Sequence, residues 1–212
     1  MNTVQEGTIF VVDDDPLVRK ALQRLLKSAG YFTETFPSAK EFLSSGNSSE
    51  GPACIILDVK MPGLSGFDLQ EELSAASYAM PIIFITGHGD IPSSVKAMKN
   101  GAVDFLSKPF EDQDLFDSIS VALKKDSITR TVLSERRIIQ QRLDQLTLRE
   151  YEILTYVITG VLNKQIAAAL NITEKTVKAH RGKVMTKMGV SSVAELVRIA
   201  EKLGIKPAAV SN

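Results

Sequence analysis

Apolar and polar positions alternate in blocks along the first part of the chain. Four apolar runs have the length of strands buried on both faces, and a fifth run alternates apolar and polar residues. The apolar runs are Thr8–Val12, Cys54–Leu57, Ile82–Thr86 and Val103–Leu106, and the alternating run is Tyr31–Phe36. Apolar residues recur at helical spacing in Asp15–Ala29, Ser38–Ser44, Gly66–Ala75, Ser93–Asn100 and Asp112–Leu123. This alternation predicts an α/β domain over residues 1–124, built on a (βα)5 doubly wound parallel sheet. The first helix is expected to bury one face, made by Leu17, Ala21, Leu25 and Leu26.

The remainder of the chain has the pattern of helices. Residues 125–143 contain no Gly or Pro, are strongly charged and place apolar residues at helical spacing, which favours a helical linker. Thr147 and Glu150 then form a capping-box pattern before an apolar helix. Three more helices are predicted, at Asn163–Leu170, Glu174–Met188 and Ser192–Leu203. We therefore expect a small all-α four-helix domain over residues 144–212.

Composition narrows the class of protein. The 212 residues are 44% hydrophobic and 24% charged, which excludes a mostly disordered chain. No apolar run approaches the roughly 20 residues that a membrane span needs, and the N-terminus lacks the pattern of a signal peptide. Cys54 is the single cysteine, so neither an internal disulfide nor a zinc cluster is expected. These features predict a cytoplasmic protein.

The net charge of zero conceals two parts of opposite sign. Residues 1–124 carry 10 Lys and Arg against 17 Asp and Glu, a net charge of −7, whereas residues 125–212 carry 15 against 8, a net charge of +7. A basic part favours contact with a polyanion, although an ordinary solvated surface gives the same count.

Polar side chains follow the predicted strands where parallel strands form binding sites. Asp13 and Asp14 follow the first strand, Asp58 follows the third, Thr86 ends the fourth, and Lys108 follows the fifth. Clustered carboxylates repel one another unless a cation joins them, and hard oxygen ligands suit Mg²⁺. A lysine and a hydroxyl nearby bind phosphate oxygens, and a carboxylate is the nucleophile that forms an aspartyl-phosphate. Asp15 is expected to cap the first helix instead.

The helices Asn163–Leu170 and Glu174–Met188, joined by a tight break, have the pattern of a helix-turn-helix. Projection of the second of these helices places Val177, Val184 and Met188 on one face. The opposite face carries basic and small residues, namely Lys175, Lys178, Ala179, Gly182, Lys183 and Thr186. An apolar back and a basic front suit a helix that lies in the major groove of DNA. Binding of RNA or of a protein is the alternative.

Residues 8–124 resemble the receiver domain of two-component response regulators. The matching segments are Phe10-Val-Val-Asp-Asp-Asp15, Leu57-Asp-Val-Lys-Met-Pro-Gly63, Phe84-Ile-Thr-Gly-His88 and Phe105-Leu-Ser-Lys-Pro-Phe110. The resemblance implies that Asp58 is the phosphoacceptor. It implies that Mg²⁺ is held by the side chains of Asp13, Asp14 and Asp58 and by the backbone carbonyl of Lys60. The resemblance implies that Lys108 contacts the phosphoryl group, that Thr86 hydrogen-bonds it, and that Phe105 is the aromatic switch residue. It also implies that His88 and Lys60 flank the phosphoryl group.

Residues 144–206 resemble the LuxR-type output domain. The matching segments are Leu146-Thr-Leu-Arg-Glu150, Asn163-Lys-Gln-Ile-Ala167, Thr176-Val-Lys-Ala-His180 and Met185-Thr-Lys-Met188. This resemblance implies that Lys178, Ala179 and Gly182 face base edges, with Lys175 contributing to readout. The residues expected near phosphates are Lys164, Thr176, Lys183 and Lys187. His180 is interpreted as a packing residue.

The two domains together resemble the NarL/FixJ family, on the FixJ side. The resemblance implies a transcriptional regulator, not an enzyme, that a sensor histidine kinase phosphorylates. It further implies a phosphorylation-dependent homodimer on an inverted-repeat promoter site, with RNA polymerase as a partner. The dimer surface is expected around Val95, Lys96, Lys99, Val103 and Asp104. A phosphatase of the haloacid dehalogenase type is the enzymatic alternative, because Asp13-Asp14-Asp15 has its Asp-x-Asp spacing, although that reading leaves Asp58 without a role.

Overall fold

The computed structural model describes residues 7–46, 49–75, 80–87 and 91–209. The chain divides into two compact units, Met1–Arg130 and Thr131–Asn212. We call them the first unit and the second unit. Within the described ranges, no helix is both long enough and apolar enough to cross a membrane.

The first unit contains the predicted parallel sheet. Its strands are β1 (Thr8–Val12), β2 (Phe32–Phe36), β3 (Ala53–Asp58), β4 (Ile82–Thr86) and β5 (Asp104–Ser107), in the order β2-β1-β3-β4-β5. The helices that connect them are α1 (Pro16–Ser28), α2 (Ala39–Ser44), α3 (Gly66–Ser74) and α4 (Ile91–Lys99). The observed order confirms the doubly wound (βα)5 fold.

Each face of the sheet has its own apolar core because side chains alternate along each strand. Phe10, Leu57 and Phe84 point to the face covered by α2, α3 and α4, where they pack near Phe42 and Leu69. The opposite face carries the intervening strand residues and packs against α1 and α5. The central strands are therefore buried on both sides, as their continuous apolar runs predict.

The predicted buried face of α1 is partly wrong. Leu17 is 76% exposed and Ala21 is also exposed, whereas Leu22 and Leu26 are buried against the sheet. Asp15 caps this helix as predicted, because its side chain accepts a hydrogen bond from the Leu17 N–H. The buried stripe is offset by one residue from the prediction, because Val18 and Leu22 pack towards the sheet whereas Leu17 and Ala21, one position earlier, face solvent.

Helix α5 (Asp112–Asp144) runs for 33 residues without interruption, through the predicted linker at 125–143. The first unit extends to Arg130 and not to residue 124 because polar side chains bind this part of α5 to the loop before β3. Buried Asp126 accepts hydrogen bonds from the Ala53 N–H (2.8 Å) and from Arg130 Nε (2.6 Å). Arg130 also donates to the Ser49 carbonyl, at 2.7 Å.

The second unit contains the rest of α5 and the four predicted helices. These are α6 (Leu148–Val157), α7 (Asn163–Ala169), α8 (Glu174–Met188) and α9 (Val193–Leu203). The capping box of Thr147 and Glu150 is formed, and Thr173 caps α8. Ile139 and Leu143 of α5 pack against the core of this unit, so the predicted linker contributes to both units.

Candidate phosphoacceptor site and DNA-reading surface

A carboxylate pair lies at the edge of the sheet where the strand order reverses. Asp13 follows β1 and Asp58 ends β3, and these two strands are neighbours. Lys108, which follows β5, places its Nζ 2.8 Å from Asp13 Oδ2 and 3.0 Å from Asp58 Oδ1. Side chains from the ends of β1, β3 and β5 therefore meet, with the Lys108 ammonium group between the two carboxylates, as the sheet topology predicts.

Asp58 is held at both of its oxygens. Its Oδ1 accepts from Lys108, and its Oδ2 accepts from the Lys60 N–H at 2.8 Å. Burial raises the pKa of Asp58, and the hydrogen bond from Lys108 opposes that rise. The side chain keeps 9% of its surface exposed, so a reagent at the sheet edge can reach a carboxylate that is already oriented.

Burial lowers the pKa of Lys108, but the hydrogen bonds to Asp13 and Asp58 outweigh burial and raise that pKa overall. The lysine is therefore charged at neutral pH. One positive charge faces two buried carboxylates, which leaves this cluster with excess negative charge.

Asp13 is fully buried and its backbone and side chain are both fixed. Its Oδ1 accepts from the Asp15 N–H (2.8 Å), and its carbonyl accepts from Arg19 Nη1 (2.7 Å). Sequence reasoning did not single out Arg19. Its place one turn into α1, just after the aspartates, is the signal that would have indicated it.

The predicted three-carboxylate metal cluster is only partly assembled. Across the part of the chain that the structure describes, no three Asp, Glu, His or Cys side chains form a group able to hold a metal ion. Asp13 and Asp58 converge, whereas the neighbouring Asp14 has an exposed side chain. The donor chemistry still fits Mg²⁺, because these are hard oxygen ligands with uncompensated negative charge and Mg²⁺ keeps several of its own waters.

The predicted switch residues lie beside this cluster. Thr86 is buried at the end of β4, and its carbonyl accepts from the Lys108 N–H at 2.7 Å. Phe105 is half-buried and its ring centroid lies 6.1 Å from that of Phe84. His88 lies outside the described residues.

Gly66, which sequence reasoning missed, forms a close contact with the phosphoacceptor strand. Its N–H donates to the Val59 carbonyl at 3.0 Å. A Cβ at this position would overlap the backbone carbonyl of Asp58 and would lie 3.1 Å from the ring of Phe84. Only glycine lets α3 begin this close to the end of β3. The signal was a glycine directly after Ser65, the residue that caps α3.

The residues predicted for a dimer surface divide into two groups. Val95 (44% exposed), Lys96 and Lys99 are exposed on α4. Val103 and Asp104 are half-buried instead. Val103 packs against the apolar core, and the carboxylate of Asp104 accepts from Ser118 Oγ (2.5 Å) and the Phe105 N–H (2.7 Å).

Helix α4 exposes more apolar surface than the sequence reading indicated. Ile91 is 80% exposed and Met98 is 46% exposed, and together with Val95 they recur at helical spacing. An apolar stripe of this kind on a helix surface is typical of an interaction site.

Helix α8 has the two faces that the projection predicts. Val177, Val184 and Met188 are buried in the core of the second unit. The exposed residues of the opposite face are Lys175, Lys178, Ala179, Gly182, Lys183 and Thr186. Thr176 is half-buried, with its hydroxyl 2.8 Å from that of Thr173. The helix therefore presents an exposed face that carries three lysines opposite its buried apolar face.

The remaining predicted DNA contacts differ in their surroundings. Lys164 is exposed on α7. Lys187 is half-buried, and its Nζ lies 2.6 Å from Glu150 Oε2. Because this ion pair occupies its ammonium group, Lys187 is not proposed as a phosphate contact. His180 is half-buried, and its Nδ1 is buried with no hydrogen-bond partner among the described residues.

Comparison with known proteins identifies the family of each domain. Residues 9–120 match the response regulator receiver domain, and residues 144–200 match the luxR family of bacterial regulatory proteins. The chain is thus a two-component response regulator with a LuxR-type DNA-binding domain. Receiver domains generally bind Mg²⁺ at the phosphorylation site and work with a sensor kinase.

Several relatives match the chain over most of its length. The chain is 47% identical over 200 residues to nodulation protein W of Bradyrhizobium diazoefficiens, covering 94% of this chain and 88% of that protein. The structure of response regulator StyR superposes with a TM-score of 0.83, at 47% identity over 93% of this chain and 100% of that one. Full-length FixJ from B. japonicum gives a TM-score of 0.57, at 39% identity over 95% of this chain and 98% of that one.

The chain belongs to the NarL/FixJ family of two-component response regulators. Members of this family are DNA-binding transcription regulators and not enzymes, which sets aside the phosphatase alternative.

Proposed function

We propose that Asp58 accepts a phosphoryl group from a sensor histidine kinase and that this modification promotes dimerisation and promoter binding. The observation that carries the proposal is the environment of Asp58. Its carboxylate ends β3, is oriented by Lys108 and the Lys60 N–H, and retains an exposed edge. A carboxylate in these surroundings is preorganised as a nucleophile.

In the proposed transfer, an oxygen of Asp58 attacks the phosphorus of a phosphohistidine. The new O–P bond forms as the P–N bond breaks, and the histidine nitrogen leaves with the bonding electron pair. Lys108 lies within hydrogen-bond distance of Asp58 and neutralises charge that gathers on the phosphoryl oxygens.

The side chains of Asp13, Asp14 and Asp58 and the backbone carbonyl of Lys60 are the proposed Mg²⁺ ligands. The ion would supply positive charge that shields the carboxylates from the incoming phosphate. Asp13 contributes a carboxylate whose position is already fixed by the Asp15 N–H and by Lys108.

The proposed switch connects the phosphoryl group to α4 and β5. Thr86 would hydrogen-bond the phosphoryl oxygens, and the Phe105 ring would rotate inward as Thr86 moves. Phe105 follows Asp104 at the start of β5, and β5 neighbours α4, which carries exposed Val95, Lys96 and Lys99. Support for a dimer through α4 comes from its exposed apolar stripe.

In the DNA complex, α8 is the proposed recognition helix. Lys175, Lys178, Ala179 and Gly182 would face base edges, and Lys164, Thr176 and Lys183 would approach phosphates. The exposure of the basic face of α8 opposite a buried apolar face supports this assignment. A symmetric dimer would read an inverted repeat.

Incubation with acetyl phosphate and Mg²⁺ tests the phosphoacceptor. We expect an acid-stable, hydroxylamine-labile phosphoprotein from the wild type and none from Asp58→Asn. Asp117→Asn, a matched change at an exposed aspartate of α5, should label like the wild type. Equal labelling of Asp58→Asn would disprove the assignment.

Selection of DNA duplexes from a random pool tests the DNA-binding role. The protein is first treated with beryllofluoride, which mimics the aspartyl-phosphate. We expect an enriched inverted repeat. Its affinity should fall in the Lys183→Met variant, with a salt slope reduced by about 1. Lys206→Met, an exposed lysine outside α8, is the control. Enrichment of no sequence would contradict the proposal.

A further inference from the structure

Two cationic side chains join the C-terminal end of α8 to neighbouring elements of the second unit. Lys187 belongs to the last turn of α8, and Arg142 belongs to α5. Lys187 Nζ lies 2.6 Å from Glu150 Oε2 and donates to the Gln145 carbonyl at 3.1 Å. Arg142 Nη1 donates to the Met188 carbonyl at 3.1 Å. The end of the recognition helix is therefore bound to the start of α6 and to the last turn of α5.

Glu150 connects this contact to the start of α6. It is 3% exposed, and its Oε2 also accepts from the Thr147 N–H at 2.9 Å, which closes the capping box. The hydrogen bond from Lys187 and that from the Thr147 backbone hold the pKa of Glu150 at about 2, well below its usual range. One buried carboxylate thus caps α6 and binds α8 at the same time.

Arg142 satisfies a carbonyl that the helix cannot pair internally. The last carbonyls of an α-helix lack partners within the helix, and cations are favourable near that end of the helix dipole. Gly189 follows in the left-handed conformation (φ 65°). A Cβ on Gly189 would lie 2.7 Å from Arg142 Nη1, so the arginine packs directly over the helix end.

We propose that Arg142 and Lys187 are positioning residues for DNA recognition, which set the orientation of α8 without contacting DNA. The inference rests on the proposed function of α8 as the recognition helix. Both cations act at one end of α8, whereas the candidate base-reading residues Lys178 and Gly182 lie earlier in the same helix. Without these contacts α8 could tilt at its C-terminal end, which would move Lys178 and Gly182 relative to the base edges.

Loss of a positioning residue and loss of a phosphate-contacting lysine should change DNA binding in different ways. A lysine that contacts a phosphate adds to specific and non-specific binding alike, and its loss lowers the salt slope by about 1. A residue that orients α8 affects specific binding only, because non-specific binding depends on charge and not on register.

The test compares Arg142→Gln and Lys187→Met with Lys183→Met, at several salt concentrations. The probes are the inverted repeat selected by the wild type and an unrelated duplex of equal length. For the first two variants we expect an approximately tenfold loss of specific affinity. Their affinity for the unrelated duplex and their salt slope should equal those of the wild type. A salt slope lowered by about 1, as expected for Lys183→Met, or an unchanged specific affinity, would overturn the proposal.

Conservative variants distinguish orientation from loss of folding. Lys187→Arg and Arg142→Lys keep a donor at each position and should recover most of the specific affinity, with thermal unfolding close to that of the wild type. If Lys187→Met fails to fold, Arg142→Gln, which leaves the Glu150 pair intact, decides the matter. If the wild type selects no sequence, the proposed function fails. If it does select one and the variants behave like Lys183→Met, only this inference fails.

Discussion

The two units handle charge in opposite ways. In the first unit, Asp13 and Asp58 are buried and share a single partly buried lysine. In the second unit, the basic residues of the proposed DNA-reading face stand exposed on α8, among them Lys178 and Lys183. A buried, incompletely neutralised cluster responds strongly to one added charge, because the local dielectric is low. An exposed basic surface responds to ionic strength and to a polyanion instead.

This difference indicates where a lysine matters for folding and where it matters for binding. Lys108 compensates carboxylates that cannot be solvated fully, so its removal should act on the protein itself. Lys178 has water as its alternative partner, so its removal should act on the complex with DNA.

The largest expected effect follows from Lys108→Met. Removing one partner of a buried ionic group leaves uncompensated charge and costs about 3 kcal/mol. We expect the first unit to lose about this much free energy of unfolding in urea at pH 7, together with the response to beryllofluoride. Lys206→Met should leave unfolding unchanged. Unaltered stability of Lys108→Met would show that the carboxylate pair is solvated or protonated.

A smaller loss is expected from Gly66→Ala. The new Cβ would overlap the Asp58 carbonyl, so α3 or the end of β3 must shift. Overpacking of this kind costs roughly 1–3 kcal/mol. Phosphorylation by acetyl phosphate should also slow, because Asp58 is displaced. Gly51→Ala is the matched control, since nothing lies within 4 Å of a Cβ built there. Equal stability of the two variants would refute the contact.

For Lys178→Met we expect the reverse signature. Loss of a base contact costs roughly 1–3 kcal/mol of binding free energy and relaxes preference at one base pair. Its free energy of unfolding should change by less than about 0.5 kcal/mol, as is usual for an exposed position. Fluorescence anisotropy with the selected duplex and its single-base variants measures the first effect, and urea unfolding the second. A large loss of stability in Lys178→Met would contradict the distinction between a lysine that matters for folding and one that matters for DNA binding.

The smallest effect is expected from Gly182→Ala. Apart from the adjacent residues and the backbone of α8 itself, no described atom lies within 4 Å of a Cβ built at Gly182, and the residue is inside α8. Alanine should therefore raise the free energy of unfolding of the second unit by about 0.5–1 kcal/mol. If Gly182 faces base edges, specific affinity should fall while stability rises. A parallel rise in both would place the residue away from the bases.

Most of the fold could be predicted from the sequence because the hydrophobic periodicity and the residues that cap or end each element indicate the same boundaries. The continuous apolar runs of β1 and β4 have the bounds that their residues predict, and Thr173 and Gly189 bracket α8 as cap and stop. Convergence of Asp13, Asp58 and Lys108 followed from strand ends, because parallel strands bring their carboxyl ends to one edge. These are local or topological signals.

The features that were missed depend on three-dimensional contacts. Asp126 and Arg130 extend the first unit into a stretch whose sequence indicated only a helical linker. Lys187 has the same sequence context as a phosphate contact, and only the fold brings Glu150 to it. Leu17 lies one position before Val18, which packs against the sheet, so Leu17 flanks the buried stripe of α1.

Light scattering tests the central claim most directly, namely that a charge added at Asp58 drives self-association. The protein would be measured with and without Mg²⁺ and beryllofluoride, which mimics the aspartyl-phosphate, for the wild type and Asp58→Asn. We predict that the wild type doubles its mass only when both reagents are present, and that Asp58→Asn remains monomeric throughout. An unchanged mass for the wild type, or equal dimerisation of Asp58→Asn, would contradict the account.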